Sequence, residues 1–183
     1  MQPLLRTENL GKRFGDRWIF RNLNMELVAG QILVVRGYNG SGKSTLLRCL
    51  SGLLPASAGS VTRESLGYYG LDLALYPDLT PAEHADLIGM TSLDLFERVG
   101  LKQALHQKVK EFSTGMRGRA KLALSLADSP TIWLLDEPTA ALDEHGQAAL
   151  AQLVQEQATR GAVILATNAE VDANWGTHEL VLD

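Results

Sequence analysis

The stretch Gly37-Tyr38-Asn39-Gly40-Ser41-Gly42-Lys43-Ser44-Thr45 constrains this chain more than any other. Its spacing is G-x-x-x-x-G-K-[ST], the pattern of a phosphate-binding loop. The flanks agree with that reading. Gln31–Arg36 is a short β-rich run, and Leu46-Leu47-Arg48-Cys49-Leu50 reads as helix. Strand, glycine loop and helix together suit the chemistry. Glycines let backbone N–H groups close around phosphate oxygens, and the helix start adds the positive end of its dipole. Lys43 is expected to reach the β- and γ-phosphates of a nucleoside triphosphate, and Ser44 to offer its hydroxyl to Mg²⁺. A chance glycine-rich turn would explain the glycines but not the strand, the helix, the lysine and the hydroxyl at once.

A second motif lies about ninety residues on. Ile132-Trp133-Leu134-Leu135-Asp136-Glu137 is an apolar run ending in two carboxylates. A fully apolar strand marks a parallel sheet covered on both faces. Ligands of such sheets bind at the carboxyl ends of the strands. Asp136 is therefore expected at the metal beside Ser44. Glu137 is expected next to the γ-phosphate, where a carboxylate can orient or deprotonate the attacking water. On its own the pair would read as a solvated acidic turn; the phosphate loop upstream changes that reading.

The remaining pattern fits an α/β fold. Leu4–Leu10 and Arg17–Leu27 read as strands of an antiparallel part near the N-terminus. Ser57–Ser60 reads as a turn, with short strands around Val61 and at Leu66–Tyr69. Thr80-Pro81-Ala82-Glu83 carries a capping Thr, a first-turn Pro and the Glu of a capping box. Further helices are predicted over Ser92–Val99, from Ser113 through Leu126, and from Asp143 to Gly161. Ala162–Ala166 is a second buried strand and Glu179–Leu182 a last short one. The expected architecture is a P-loop NTPase parallel-sheet core from residues 1–71 and 128–183. A helical segment of residues 72–127 interrupts it.

Composition excludes several classes. The 183 residues are 45% hydrophobic and 21% charged, with a net charge of −4, so no bulk electrostatic argument favours nucleic acid as a partner. The single cysteine, Cys49, allows no intramolecular disulfide or cysteine metal site, and its leucine neighbours suggest a small buried apolar role. No run approaches a membrane span, and Met1–Arg6 lacks the start of a signal peptide. A cytoplasmic protein is expected, reaching a membrane only through a partner. His84, His106, His145 and His178 all read as surface or satisfied residues.

With both motifs in place, the chain resembles the ATP-binding subunits of ABC transporters over nearly its whole length. Phe14 falls where that family stacks an aromatic on adenine. Phe112-Ser113-Thr114-Gly115-Met116 stands where the family has Leu-Ser-Gly-Gly-Gln, with Ser113 and Gly115 kept. Pro138–Asp143 is similar to the segment that closes with the family's D-loop. The resemblance implies ATP and Mg²⁺ as cofactors and hydrolysis coupled to transport. It also implies a head-to-tail dimer with a second copy or a paralogous cassette, docked on transmembrane permease subunits. Each ATP would lie between the phosphate loop of one cassette and Ser113, Gly115 and Asp143 of the other.

Two positions depart from the family. Its Gln at the head of the helical segment falls at Leu71, which has no polar atom in its side chain; Asp72 is the nearest candidate metal ligand. Its switch His falls at Asn168, which can donate a hydrogen bond to phosphate but cannot become cationic. Both changes lie on the γ-phosphate side, so slow hydrolysis is expected. A narrower resemblance joins the chain to the CcmA-type subunits of the haem exporter of cytochrome c maturation. It rests on the short length, Leu50–Pro55 and Ala74–Thr80. Two alternatives stand beside an exporter: a soluble iron–sulfur assembly ATPase and a weakly active nucleotide-sensing cassette.

Overall fold

Every residue of Ile132–Asp136 and Ala162–Ala166 is buried, and these two strands form the middle of the molecule. The structure, a computed structural model, describes residues 2–182. Met1 and Asp183, the outer ends of the two expected core segments, lie outside the described residues. A three-stranded antiparallel sheet comes first in the chain. Strands β1 (Leu5–Phe14) and β2 (Arg17–Leu27) form a hairpin that turns at Gly15, and β4 (Ala58–Arg63) pairs with the other edge of β1. The second sheet has five parallel strands. They are β3 (Ile32–Arg36), β5 (Leu66–Tyr69), β6 (Ile132–Asp136), β7 (Ala162–Ala166) and β8 (His178–Val181), arranged β5-β6-β7-β3-β8.

Alternation along these strands feeds two cores. Ile32, Val34, Trp133, Leu135, Val163 and Leu165 face one side. There they meet helix α5 (Glu144–Arg160) through Leu150, Leu153 and Val154, and the helical segment. Leu33, Val35, Ile132, Leu134 and Ile164 face the other, against the antiparallel sheet and helix α1 (Lys43–Ser51) through Leu46, Leu47 and Leu50. A buried Leu or Ile contributes about 1.5–3 kcal/mol, so a slip of one residue in any of these strands would exchange two cores' worth of contacts.

The helical segment contains α2 (Pro81–Leu87), α3 (Asp94–Arg98) and α4 (Thr114–Ser125), with single 3₁₀ turns at Lys102–Ala104 and Val109–Glu111. The capping box forms as the sequence predicts: Glu83 N–H donates to Thr80 Oγ1 at 3.2 Å and Thr80 N–H to Glu83 Oε2 at 2.8 Å. Trp133 is fully buried and satisfies its indole N–H on Ser125 Oγ at 2.9 Å, which ties α4 to the sheet.

Several elements differ from the sequence expectation. β1 runs on to Phe14, because pairing with Phe20, Trp18 and Arg17 of β2 holds even the basic residues Lys12 and Arg13 in strand after the β4 pairing has ended at Gly11. Ala58–Ser60, part of the turn expected at Ser57–Ser60, are strand because they pair with Gly11 and Glu8 of β1. α3 is shorter than Ser92–Val99, and a one-turn helix α6 (Glu170–Ala173) follows β7 unannounced by any periodicity. The last strand begins at His178 and ends at Val181. No described helix is long and apolar enough to cross a membrane. Cys49 is buried among the leucines of α1.

Candidate active site

β3, β6 and β7 are neighbours, and their carboxyl ends point to one edge of the sheet. The loop between β3 and α1 lies there. Gly42 caps α1 at φ 103°, a left-handed conformation, and no side chain fills the helix N-terminus. A side chain at Gly42 would also run into Ile19 Cγ2. The first N–H groups of α1 are thus left for a ligand, with the helix dipole behind them. Lys43 is buried, and its ammonium donates to the carbonyls of Gly37 at 2.9 Å and Tyr38 at 3.3 Å. Ser41 Oγ is buried among the described residues without a partner.

Ser44 and Asp136 meet although ninety-two positions separate them: Ser44 Oγ donates to Asp136 Oδ1 at 2.9 Å. Tyr68 Oη approaches Asp136 Oδ2 at 3.4 Å from β5. Burial raises the Asp136 carboxyl pKa; the Ser44 hydrogen bond and the Arg48 charge pull it back. Burial likewise drives the Tyr68 phenol up to about 12, so it stays a neutral donor. A hydroxyl and a carboxylate side by side are hard oxygen donors. They fit Mg²⁺, which takes one or two protein ligands and completes its octahedron with phosphate oxygens and water. No cluster of three His, Cys, Asp or Glu able to hold a metal occurs among the described residues.

Glu137 sits just beyond Asp136 with φ 47°. A left-handed conformation in a non-glycine residue costs about 1–3 kcal/mol and persists only where neighbours hold it. Glu137 N–H donates to Ala166 O at 2.8 Å, and Asn168 N–H approaches Glu137 Oε2 at 3.5 Å. Burial raises the Glu137 pKa, opposed by the Asn168 N–H and by Lys43. A carboxylate made more basic by burial suits proton abstraction from water. The cavity above the loop, about 310 Å³, is lined by Ile19, Asn39, Gly40, Thr45 and Glu137 with Gly42, Lys43 and Ser44. Asn168 reaches this edge and donates from its amide to Asn39 Oδ1 at 2.7 Å.

Other expected site residues lie elsewhere. Phe14 is 53% exposed at the end of β1, free to stack on a planar base, with Lys12 Nζ 5.0 Å from its ring. Asp72 is committed to an ion pair with Arg48 at 2.8 Å and does not line the cavity. Exposed Leu71 borders a separate cavity of about 450 Å³ together with Arg117 and Lys121. Ser113 caps α4, accepting from Met116 N–H at 3.1 Å, and neither it nor Gly115 lines the phosphate-loop cavity. Asp143 caps α5 through Gly146 N–H at 2.9 Å, pairs with Arg119 Nε at 3.3 Å, and packs against Gly115. His84 is buried but satisfied, accepting from Tyr76 N–H at 2.9 Å, and the other three histidines are exposed.

Sequence reasoning counts Ile19 and Tyr68 as strand residues only; the structure brings Ile19 against the loop and Tyr68 against Asp136. Their signal in the sequence is no more than membership of the strands nearest the motifs.

A phosphate loop between a parallel strand and a helix, with a strand-end Asp-Glu pair beside it, defines a nucleotide-binding α/β cassette. The ABC transporter family model matches residues 20–140, and the chain belongs to that family of ATP-binding subunits, an ATPase family. A CcmA cytochrome c biogenesis export protein of Bradyrhizobium diazoefficiens is 39% identical over 83% of this chain and 84% of its own length. The lantibiotic transport protein SrtF of Streptococcus pyogenes is 33% identical over 88% and 78%. YdbJ, an uncharacterised ABC transporter ATP-binding protein of Bacillus subtilis, is 34% identical over 91%, and the match spans 62% of YdbJ. An ATP-binding cassette solved as a dimer in a post-hydrolysis state with ADP and Pi superposes with a TM-score of 0.87 at 22% identity, covering 98% of this chain and 94% of that one; this likeness speaks to fold.

Proposed function

We propose that this chain hydrolyses ATP as one half of a cassette dimer and so drives a membrane exporter, of the haem-export type used in cytochrome c maturation. The observation that carries the hydrolytic reading is the contact of Ser44 Oγ with Asp136 Oδ1 at 2.9 Å, with Glu137 on the wall of the same cavity. The loop N–H groups would hold the β-phosphate. Lys43 would exchange the Gly37 and Tyr38 carbonyls for phosphate oxygens, gaining stronger charge-assisted bonds. Ser44 and Asp136 would hold Mg²⁺, which when bound neutralises charge building between the β- and γ-phosphates. Glu137 would orient the attacking water and accept its proton. Asn168 would touch the γ-phosphate with a neutral amide.

Ser113 and Gly115 do not line this cavity, which supports a partner cassette supplying them. Permease subunits are the proposed membrane partners, and the cytoplasmic face the proposed location. The CcmA relatives support the haem-export type. The neutral side chains of Leu71 and Asn168 speak for slow turnover, and the proposed base Glu137 beside the Ser44–Asp136 pair supports a slow enzyme over a non-hydrolysing sensor.

The test of the hydrolytic reading is Glu137→Gln. It keeps the shape and hydrogen bonding of the side chain but cannot accept a proton. ATP binding should persist and phosphate release fall by about 10² or more. A variant that hydrolyses at the wild-type rate would remove Glu137 from the mechanism. Co-purification with its membrane partner tests the exporter reading; recovery with a soluble iron–sulfur assembly complex instead would overturn it.

A further inference from the structure

Asp172 is a fully buried carboxylate that the proposed chemistry does not use. Its Oδ2 accepts from two hydroxyls, Thr139 Oγ1 at 2.8 Å and Thr167 Oγ1 at 3.0 Å. Its Oδ1 is buried and has no partner among the described residues. No cation of the described residues forms an ion pair with it. A charge in such a place is expensive to keep, and burial raises the carboxyl's pKa against the pull of the two hydroxyls. Core packing alone gives no reason for it.

Its two partners stand at telling positions. Thr139 lies two residues past Glu137, in the 3₁₀ turn Pro138–Ala141. Thr167 lies one residue before Asn168 and is fully buried. Thr167 Oγ1 also accepts from Ala169 N–H at 2.9 Å, so its hydroxyl proton must point elsewhere, and Asp172 takes it. Oδ2 can accept both hydroxyl protons whether the carboxyl is ionised or carries its proton on Oδ1, so it fixes the direction of both hydroxyls. The Asp-Glu segment after β6 and the Asn168 segment after β7 are thereby pinned to one oxygen atom. Glu137 needs such support, since its left-handed backbone is not one that a glutamate adopts unaided.

We propose that Asp172 is a positioning residue for hydrolysis: by tying Thr139 to Thr167 through Oδ2, it holds Glu137 and Asn168 in one fixed relation at the γ-phosphate. The proposal rests on the assignment of Glu137 as the base. It predicts a loss in the chemical step and none in nucleotide binding, because the hydrogen bonds of Asp172 go to Thr139 and Thr167 and it does not line the phosphate-loop cavity.

Steady-state phosphate release by the full-length protein with ATP and Mg²⁺ gives kcat and KM separately. A fluorescent ATP analogue gives affinity. Asp172→Ala removes the link, and kcat should fall about ten- to a hundred-fold with KM and affinity within about two-fold of wild type. Asp172→Asn keeps a carbonyl oxygen with two lone pairs for the two hydroxyls, so it should recover most of the lost kcat. Thr139→Val, nearly isosteric, cuts only the strut to Glu137 and should lower kcat as Asp172→Ala does. If Asp172→Ala does not fold, Thr139→Val decides alone. Wild-type kcat in either folded variant overturns the proposal, and so does a loss that appears in KM and affinity instead. Glu137→Gln measured alongside separates the two failures. If it is inactive while Asp172→Ala and Thr139→Val are normal, only the positioning role falls. If it is active, the base assignment falls and this role with it.

Discussion

Asn168 donates to Asn39 Oδ1 at 2.7 Å, so the loop after β7 already touches the phosphate loop through two neutral amides. An amide facing a γ-phosphate supplies a hydrogen bond without charge. A charge-assisted bond is roughly twice as strong. The isolated wild-type protein should therefore turn over slowly. Asn168→His should raise the rate by about 1–2 kcal/mol of transition-state stabilisation, about ten-fold. ATP affinity should move much less, because Lys43 and the loop N–H groups do most of the binding. Phosphate release at saturating ATP and Mg²⁺ decides the point. A faster wild type, or no gain in the His variant, would show that Asn168 stands outside the reacting shell. Among residue contacts, Ser44 with Asp136 is legible in the sequence, because a strand-end carboxylate and a loop hydroxyl share one metal by the logic of the two motifs. Asn39 with Asn168, Tyr68 with Asp136, and Asp172 with its two threonines are not. Apart from Thr167 with Asp172, five positions apart, these join residues that no local pattern relates, and the strand order of the sheet brings them together.

At the scale of elements, the phosphate loop is a turn whose shape and emptiness both matter. Gly42 is left-handed at φ 103° and its missing Cβ makes room for Ile19 of β2. Gly42→Ala meets both obstacles at once. It should lower folding stability by about 1–3 kcal/mol, seen in denaturant unfolding, and weaken ATP binding by moving the first N–H groups of α1. Unchanged unfolding and affinity would mean the loop tolerates a different backbone. The elements that the sequence announces clearly are those whose residues are all buried or well capped: β6, β7, α2 with its Thr80 cap, and α5 with its Asp143 cap. The end of β1 is hidden because Lys12 and Arg13 are strand only by virtue of pairing with β2 across the hairpin. α6 is hidden because four residues hold too little periodicity to read. The resemblance to a known family supplies what periodicity lacks, namely the meaning of Ser113 and Asp143, neither of which lines the cavity of its own chain.

At the scale of the whole molecule, the phosphate-loop cavity takes its walls from β2, the loop, α1 and Glu137, and nothing from residues 113–119. The N-terminus of α4, with the exposed Ser113 at its cap, is open to a ligand from outside its own chain. Its dipole and hydroxyl suit a γ-phosphate held by a second cassette. Two copies related by a two-fold axis would close two identical sites, each with the loop of one chain and Ser113 of the other. This arrangement makes a prediction that a self-contained site does not. Lys43→Ala should abolish tight ATP binding in a homodimer. Ser113→Glu should abolish turnover by putting a carboxylate where phosphate must sit. In a mixed dimer both lesions fall in the same site, and the other site is intact. At equal concentrations about half of the dimers are mixed and each has one good site of two, so activity should return to about a quarter of wild type. The measurement is ATP hydrolysis by each variant alone and after mixing, with ATP present to drive exchange. Activity that stays at the sum of the two inactive proteins would mean that Ser113 serves its own chain, or that the cassette pairs with a different partner.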